Sequence, residues 1–135
     1  MKAFARLPAE ERALYWRSCS ERKGVPEFIV EKDFWVCWLL NLCFAAEGIG
    51  PNCVFKGGTS LSKVFGAIDR FSEDIDLGLT PGSLGWKEAD LDEAPSPTQR
   101  QKRVKKLQGD CIGAVQSRFL PELEAAVLAA LGPGP

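Results

Sequence analysis

The spacing of apolar residues predicts helices towards both ends of the chain and short strands between them. A first amphipathic helix is predicted over residues 8–22, where proline and acids open the segment and a glycine closes it. A second helix, apolar around most of its surface, is predicted from Pro26 to Gly48. A capping pattern at Ser96 starts a basic amphipathic helix that runs to about residue 118, and a further helix follows over residues 121–131.

Two short strands and a glycine turn are predicted in the middle of the chain. Residues 53–55 form a β-type run that ends in the sequence Lys-Gly-Gly, and Thr59 or Ser60 is predicted to cap a short helix after it. An apolar alternation over residues 74–79 predicts a second strand with its carboxylates on one face. Residues 80–97 are rich in proline and glycine, which is typical of a surface loop. The pattern as a whole predicts an α/β (α+β) fold with a short sheet flanked by helices.

Length and composition limit the class of protein. The 135 residues, 45% hydrophobic and 26% charged, are typical of one soluble domain, which we expect over residues 1–131 with a tail over 132–135. A formal charge of -1 gives no broad electrostatic footprint for nucleic acid or anionic membrane. The absence of histidine excludes Ser-His-Asp and Cys-His nucleophiles, His-ligated zinc and imidazole acid-base catalysis. Chemistry in this chain must therefore use carboxylates, hydroxyls, cations or thiols.

The cysteines and the apolar segments indicate a protein of the reducing cytosol. The five cysteines are odd in number and form no Cys-x-x-Cys pair, so we interpret them as small buried apolar residues. The N-terminus lacks the apolar region of a secretory signal. The longest apolar stretch, residues 34–46, is shorter than the roughly 20 residues that cross a bilayer. We therefore expect a cytoplasmic location and no membrane contact.

Asp74 and Asp76 stand two residues apart on the second predicted strand. Alternate residues of a strand leave the same face, so the two carboxylates can converge on shared cations. Two like charges side by side repel each other unless a metal or a basic group neutralises them. Hard carboxylate oxygens suit Mg²⁺, which keeps coordination positions for water and phosphate. The pair predicts a metal-nucleotide site, although an Asp-x-Asp sequence by itself is also typical of a solvated strand face.

Gly57 and Gly58 stand where the first predicted strand turns into a helix. Glycines at such a turn let backbone amides and the hydroxyls of Thr59 and Ser60 approach a triphosphate closely. A Gly-Gly pair alone is more often a tight turn, and the spacing of a Walker A loop is absent. The occurrence of this turn together with the acid pair is what favours a nucleotide site.

These motifs resemble a known family. Residues 55–63, Phe-Lys-Gly-Gly-Thr-Ser-Leu-Ser-Lys, followed by residues 70–77, Arg-Phe-Ser-Glu-Asp-Ile-Asp-Leu, closely resemble the signature of the AbiEii/AbiGii-type nucleotidyltransferase toxins of the polymerase-β-like superfamily. Residues 31–35, Glu-Lys-Asp-Phe-Trp, resemble the Glu-Lys-Asp-aromatic element that precedes the glycine motif in that family. The resemblance is strong over residues 25–80.

The resemblance implies transfer of a nucleotidyl group from an NTP by a two-metal mechanism. Asp74 and Asp76 would be the catalytic residues and would hold Mg²⁺ or Mn²⁺. The acceptor would be an RNA, with the 3′ end of tRNA a known acceptor in the family, and the toxin would be paired with an antitoxin protein in a bacterial cytoplasm. Gly57, Gly58, Thr59 and Ser60 would position the phosphates. From their places beside the two motifs, Lys56, Lys63, Arg70 and Ser72 are further candidates for nucleotide binding.

Some of these side chains have a second interpretation from the residues alone. Arg70 could neutralise the carboxylates or the leaving group, or form a surface ion pair with Glu73. Ser72 could hydrogen-bond a phosphate or cap the turn. The basic run over residues 100–106 could receive an RNA backbone, but such a run is more often a solvated helix face.

The chain departs from the family pattern in its acidic residues. The family's third acidic ligand and a downstream lysine motif lie on later strands, and no convincing third carboxylate is found here. The acids at Glu88, Asp90, Asp92 and Glu93 fall in the predicted loop, where we expect them to be solvated. We therefore expect an N-terminal portion of the family fold. The alternative function is a catalytically incomplete remnant that acts as an antitoxin- or nucleotide-binding module.

Overall fold

The computed structural model describes residues 1–64, 74–87 and 89–132, and this part of the chain is a mixed fold dominated by helices. The helices are α1 (Lys2–Ala5), α2 (Ala9–Lys23), α3 (Glu27–Ala45), α4 (Gly57–Lys63), α5 (Ala89–Asp92), α6 (Pro97–Ala114) and α7 (Leu120–Leu131). The strands are β1 (Cys53–Lys56) and β2 (Asp76–Leu79). None of the helices described is long and apolar enough to cross a membrane.

The two strands form an antiparallel pair, in the positions that the sequence predicts. The register sets Cys53 opposite Leu79 and Lys56 opposite Asp76. Because side chains alternate between the faces, Cys53 and Leu79 lie on the face that packs against the helices. Lys56 and Asp76 lie on the opposite face and are exposed. The predicted strand over residues 74–79 is thus confirmed in position but begins two residues later, at Asp76.

The long helices α2 and α3 are also confirmed. Gly24, after α2, adopts a left-handed conformation with φ +67°, as a glycine stop requires. α3 ends at Ala45, earlier than the predicted end at Gly48, because Ala46 is already extended. The turn that follows is fixed from outside the helix, since the Gly48 amide donates to Oε1 of Glu122 on α7 at 2.8 Å.

The core lies where α3 meets α1, α7 and the sheet. Trp38 of α3 is buried with Ala5 of α1 and Ala130 of α7. A second buried cluster unites Cys43, at the end of α3, with helical and strand residues that include Leu77 and Leu79 of β2. The sheet therefore packs on the C-terminal half of α3. The cysteines are all unpaired, and Cys43 is buried while the other four are partly buried.

The short helix α1 is not predicted by the sequence pattern. It is held by contacts distant in the chain, since Arg6, just after it, donates from Nε to the Ala130 carbonyl at 2.6 Å. The ring of Phe4 makes edge-to-face contacts with Trp16 and Phe34, each at 5.0 Å between centroids. These contacts stabilise four residues that would be too few to form a helix by themselves.

The C-terminal helices form one continuous rod. The hydroxyl of Ser96 accepts from the Gln99 amide at 3.3 Å, which confirms the predicted cap of α6. The predicted break before Pro121 is wrong, because a π-helical turn over Val115–Phe119 joins α6 directly to α7. A proline removes one backbone donor and crowds the preceding turn, and a wider turn accommodates it.

The segment predicted as a surface loop contains short ordered elements. A 3₁₀ turn covers Pro81–Leu84, and α5 covers Ala89–Asp92. Trp86 anchors this segment to α6, because its indole Nε1 donates to Oδ2 of Asp110 at 2.9 Å. The segment therefore packs along α6.

Candidate functional site

The junction between β1 and α4 brings the glycine motif against the acid pair. Gly57 has φ +79°, a left-handed conformation that a residue with a side chain adopts only under strain. The space that a Cβ would fill at Gly57 is occupied by the Asp76 carboxylate, whose Cγ lies 2.8 Å from that position. Glycine is thus required at this position for two reasons, which are the left-handed backbone conformation and the close approach of the Asp76 carboxylate.

Asp74 and Asp76 lie at the N-terminal end of β2 with Ile75 between them. Both aspartates are exposed and Ile75 is partly buried, so exposure alternates as the strand pattern predicts. Ile75 lines a small hollow together with Trp35 and Leu39 of α3. Because neighbouring residues of an extended segment point to opposite sides, both carboxylates lie on the side away from Ile75.

Lys56 lies opposite Asp76 in the sheet register. Its side chain extends across Gly78, with Cε 3.2 Å and Nζ 3.3 Å from the position that a Gly78 Cβ would take. No residue in the described ranges forms an ion pair or hydrogen bond with the Asp76 carboxylate. A cation and an exposed carboxylate thus lie on the same sheet face beside the glycine turn.

Ser60 and Lys63 belong to α4, which begins at Gly57 and not at the predicted Thr59 or Ser60 cap. Ser60 is buried, and its hydroxyl donates to the Gly57 carbonyl at 3.0 Å. Lys63 forms an ion pair and hydrogen bond with Oδ1 of Asp33 on α3. Burial lowers the pKa of Lys63, but the Asp33 carboxylate, with a smaller contribution from Cys37, outweighs this effect and leaves the pKa raised. α4 is thereby fixed to α3.

The sequence of the chain matches the model of a known protein family. The model of the nucleotidyl transferase AbiEii toxin of type IV toxin-antitoxin systems matches residues 38–131, which include both the glycine motif and the acid pair. The chain belongs to the AbiEii family. Searches of curated proteins and of solved structures found no match. Membership confirms the family indicated by the sequence motifs, and with it a nucleotidyltransferase type of protein that has a nucleotide substrate and an antitoxin partner.

The structure positions some of the residues that the AbiEii resemblance implies and leaves others outside the described residues. Lys56, Gly57, Gly58 and both aspartates lie at one end of the sheet, and Ser60 lies at the base of the turn. Lys63 lies with Asp33 on the side of α4 that faces α3. Arg70, Ser72 and the side chain of Thr59 fall outside the described residues, and so does Glu88.

Asp90, one of the acids of the predicted loop, makes its side-chain hydrogen bond within its own segment. Oδ2 of Asp90 accepts from the Lys87 amide at 2.8 Å and so caps its own short helix α5. Among residues 1–64, 74–87 and 89–132, no group of three or more His, Cys, Asp or Glu side chains is placed to hold a metal ion. The described carboxylates at the glycine turn are therefore the pair Asp74 and Asp76.

This pair fits Mg²⁺ in the type and number of its ligands. In nucleotide sites Mg²⁺ is held by one or two carboxylates and completes its shell with water and phosphate oxygens. Both aspartates are exposed, so water and phosphate can reach their oxygens. The close approach of Asp76 to Gly57 brings a carboxylate to the turn where phosphates are expected. The residues present thus fit the metal that the AbiEii resemblance implies.

Asp33 lies beside the site through its ion pair with Lys63, and the sequence names it only as part of the Glu-Lys-Asp-aromatic element. It lies 30 residues before its partner Lys63, and no periodicity relates two helices at that separation. The available signal was the Glu-Lys-Asp element itself, which precedes the glycine motif in the family that the chain resembles. The neighbouring Lys32 is exposed, and its ammonium lies 5.8 Å from the centroid of the Phe28 ring.

The basic run of α6 is partly engaged by the segment that precedes the helix. Arg100, Lys102 and Lys105 are exposed. Arg103 donates to the Asp90 carbonyl, and Lys106 lies 5.6 Å from the centroid of the Trp86 ring. Two of the five cations thus fix α6 to the preceding segment, and three face solvent.

Proposed function

We propose that this chain carries the nucleotide- and metal-binding site of an AbiEii-type toxin that transfers a nucleotidyl group from an NTP to an RNA, with the 3′ end of tRNA as acceptor. The observation that carries the proposal is the Asp76 carboxylate against Gly57, with Asp74 two residues before it. A solvated strand face has no need of a glycine that accommodates its carboxylate. A site that brings phosphate and metal together does need a glycine there, because the carboxylate must approach the turn closely.

Each part of the site has a role in this proposal. Asp74 and Asp76 hold Mg²⁺ or Mn²⁺, and the bound metal supplies charge stabilisation for the attacking and leaving oxygens. Gly57 and Gly58 leave room for phosphate oxygens at the backbone, and Thr59 and Ser60 continue that turn. In the transfer a hydroxyl oxygen of the RNA bonds to the α-phosphorus as the bond to the pyrophosphate oxygen breaks.

The cations divide into two groups in the proposal. Lys56 is exposed on the same face as Asp76 and binds the triphosphate. Lys63 is already paired with Asp33, so it positions α4 and contributes only distant charge to the phosphates. Arg70 and Ser72 remain candidates for nucleotide binding, and both fall outside the described residues.

The test is label transfer from each NTP to total RNA in the presence of Mg²⁺. We expect Asp74→Asn and Asp76→Asn each to lower transfer at least about a hundredfold, since loss of a metal ligand costs several kcal/mol of transition-state stabilisation. Asp92→Asn provides the matched control, because Asp92 is an exposed aspartate on α5. Wild-type transfer in both site variants would refute the assignment of the acid pair.

A second candidate function is nucleotide or antitoxin binding without turnover. It is favoured by the absence of a third clustered carboxylate from the described ranges. Equilibrium binding of labelled NTP with Mg²⁺ separates the two functions. Binding that depends on Asp74 and Asp76, without label transfer to RNA, would support the binding module and contradict catalysis by this chain.

A further inference from the structure

The short helix α4 carries the glycine turn at its beginning and Lys63 at its end. Seven residues are too few to form a stable helix by themselves, so contacts with the rest of the fold must fix the direction of α4. Ser60 is buried, but its hydroxyl donates to the Gly57 carbonyl within the same helix. The position of the glycine turn therefore depends on β1, which leads into it, and on what holds the other end of α4.

The other end of α4 is held by an ion pair with α3. The Lys63 ammonium pairs with Oδ1 of Asp33, and of the ion pairs in the described residues this is the one that joins α4 to another helix. Asp33 belongs to a helix of 19 residues, whose Trp38 and Cys43 are buried in the core. A helix anchored in the core thus supplies the carboxylate that receives Lys63.

Lys63 is engaged from two successive turns of α3. Cys37 follows Asp33 by four residues, about one helical turn, and both residues raise the pKa of Lys63. The Lys63 side chain is 28% exposed, whereas the Arg17 side chain is 65% exposed in its own ion pair with Glu27. The Lys63 ammonium therefore lies against α3 and is not extended into solvent.

The pairing decides which role Lys63 can take at the nucleotide site. A lysine that already faces a carboxylate offers a phosphate little net attraction, because the carboxylate repels the same phosphate. To bind phosphate directly, Lys63 would have to leave Asp33, and Asp33 would lose the cation that it now faces. An intact pair avoids that cost and keeps α4 in place.

We propose that Asp33 is a positioning residue of the nucleotide site, which acts through Lys63 and α4 to hold the glycine turn beside Asp76. This inference rests on the proposed function. The Asp76 carboxylate occupies the space that a Gly57 Cβ would fill, so a small shift of α4 changes the gap that must receive phosphate and metal. Loss of the pair therefore weakens nucleotide binding, although it removes no group that contacts the nucleotide.

Equilibrium binding of each labelled NTP with Mg²⁺ to the full chain tests this role. Asp33→Asn and Lys63→Gln should each weaken binding about two- to fivefold, the change expected for loss of a partly exposed ion pair. The double variant should bind as well as either single variant, because both changes break the same pair. A Lys63 that binds phosphate directly predicts another pattern, since Asp33→Asn would free the ammonium and tighten binding.

Reversing the two charges gives a sharper test. Asp33→Lys and Lys63→Glu each bring like charges together, and each should weaken NTP binding at least about tenfold. The two changes combined rebuild an ion pair of opposite polarity, and binding should return to within about threefold of wild type. A direct phosphate contact by Lys63 would not recover, because position 63 would then carry an acid.

Arg17 and Glu27 provide the matched control, since they form an ion pair between α2 and α3 at 3.5 Å. Arg17→Gln, Glu27→Gln and their double variant should leave NTP binding unchanged. Urea denaturation of every variant separates an effect on the glycine turn from a loss of the fold. Amide hydrogen exchange provides a second readout without nucleotide, because Asp33→Asn should speed exchange in α4 and leave α2 unchanged.

Three results would overturn the inference. The first is NTP binding by Asp33→Asn that equals or exceeds that of the wild type, and the second is additive losses in the neutral double variant. The third is a reversed pair that is folded but does not recover binding. A wild-type chain that binds none of the NTPs would instead contradict the proposed function itself, and this inference with it.

Discussion

Two pairs of lysine and aspartate flank the glycine turn, and they differ in what they do. Lys63 and Asp33 are joined by an ion pair between α4 and α3, with 28% and 41% of their side-chain surfaces exposed. Lys56 and Asp76 face each other in the sheet register, yet they form no ion pair and are exposed. The same two residue types thus fix one side of the turn and leave charges available on the other.

The difference shows how a small fold can keep reactive charges in place without neutralising them. Asp76 is held by the strand ladder and by its contact with Gly57, and its oxygens remain accessible. α4 is held by Lys63, so the turn does not depend on Lys56 for its position. Packing and backbone conformation therefore position one pair, and charge pairing positions the other.

The largest effect is expected at Gly57. Gly57→Ala forces a side chain into a backbone with φ +79° and into the space of the Asp76 carboxylate. We expect a loss of about 2 kcal/mol or more in the free energy of unfolding, from the left-handed conformation and from the displaced carboxylate. Chemical denaturation with urea measures this loss.

The matched control is Gly24→Ala. Gly24 has a similar φ of +67°, and nothing lies within 4 Å of its would-be Cβ. It should cost only the conformational part, about 1 kcal/mol. Equal losses at both glycines would contradict the contact between Gly57 and Asp76.

A smaller effect is expected for the Lys63–Asp33 pair. A double-mutant cycle of Lys63→Gln and Asp33→Asn should give a coupling energy of about 0.5–1 kcal/mol, reduced by the partial exposure of both groups. The corresponding cycle of Lys56→Gln and Asp76→Asn should give a coupling close to zero. A larger coupling for Lys56 and Asp76 would reverse the comparison between the two pairs.

The smallest effect is a dependence of stability on alkaline pH. The pKa of Lys63 is raised above its ordinary value of 10.5, so its stabilising charge is fully present below that pH. The contribution is lost as pH rises through the folded-state pKa. The difference in unfolding free energy between wild type and Lys63→Gln should therefore be constant at neutral pH and shrink above pH 10.5. A difference that grows at alkaline pH would contradict this sign.

Much of the fold follows from local patterns. Proline and acids at the helix starts, glycine at Gly24 and the cap at Ser96 predict α2, α3 and α6, because these signals act within one turn of the chain. The alternation around Asp76 predicts β2 and the outward direction of its carboxylates. The approach of Asp76 to the glycine turn follows only from the resemblance and from the occurrence of the two motifs together.

The features that could not be predicted depend on contacts between distant segments. α1 exists because Arg6 and Phe4 contact residues far along the chain. The ion pair of Asp33 depends on the packing of α4 against α3. The start of α4 at Gly57 depends on a left-handed residue whose space is shared with a strand residue beyond it. Patterns within one turn carry no information on such contacts.

The π turn over Val115–Phe119 sets the phase of the C-terminal rod. It holds one residue more per turn than a regular helix, so everything after it is rotated by about 100° relative to a straight continuation. This rotation aims Leu123 and Ala130 at the core although α6 presents lysines to solvent. Deleting one residue from the turn would restore a regular helix and rotate the apolar face of α7 away from Trp38. Packing of the core therefore constrains the number of residues in this turn.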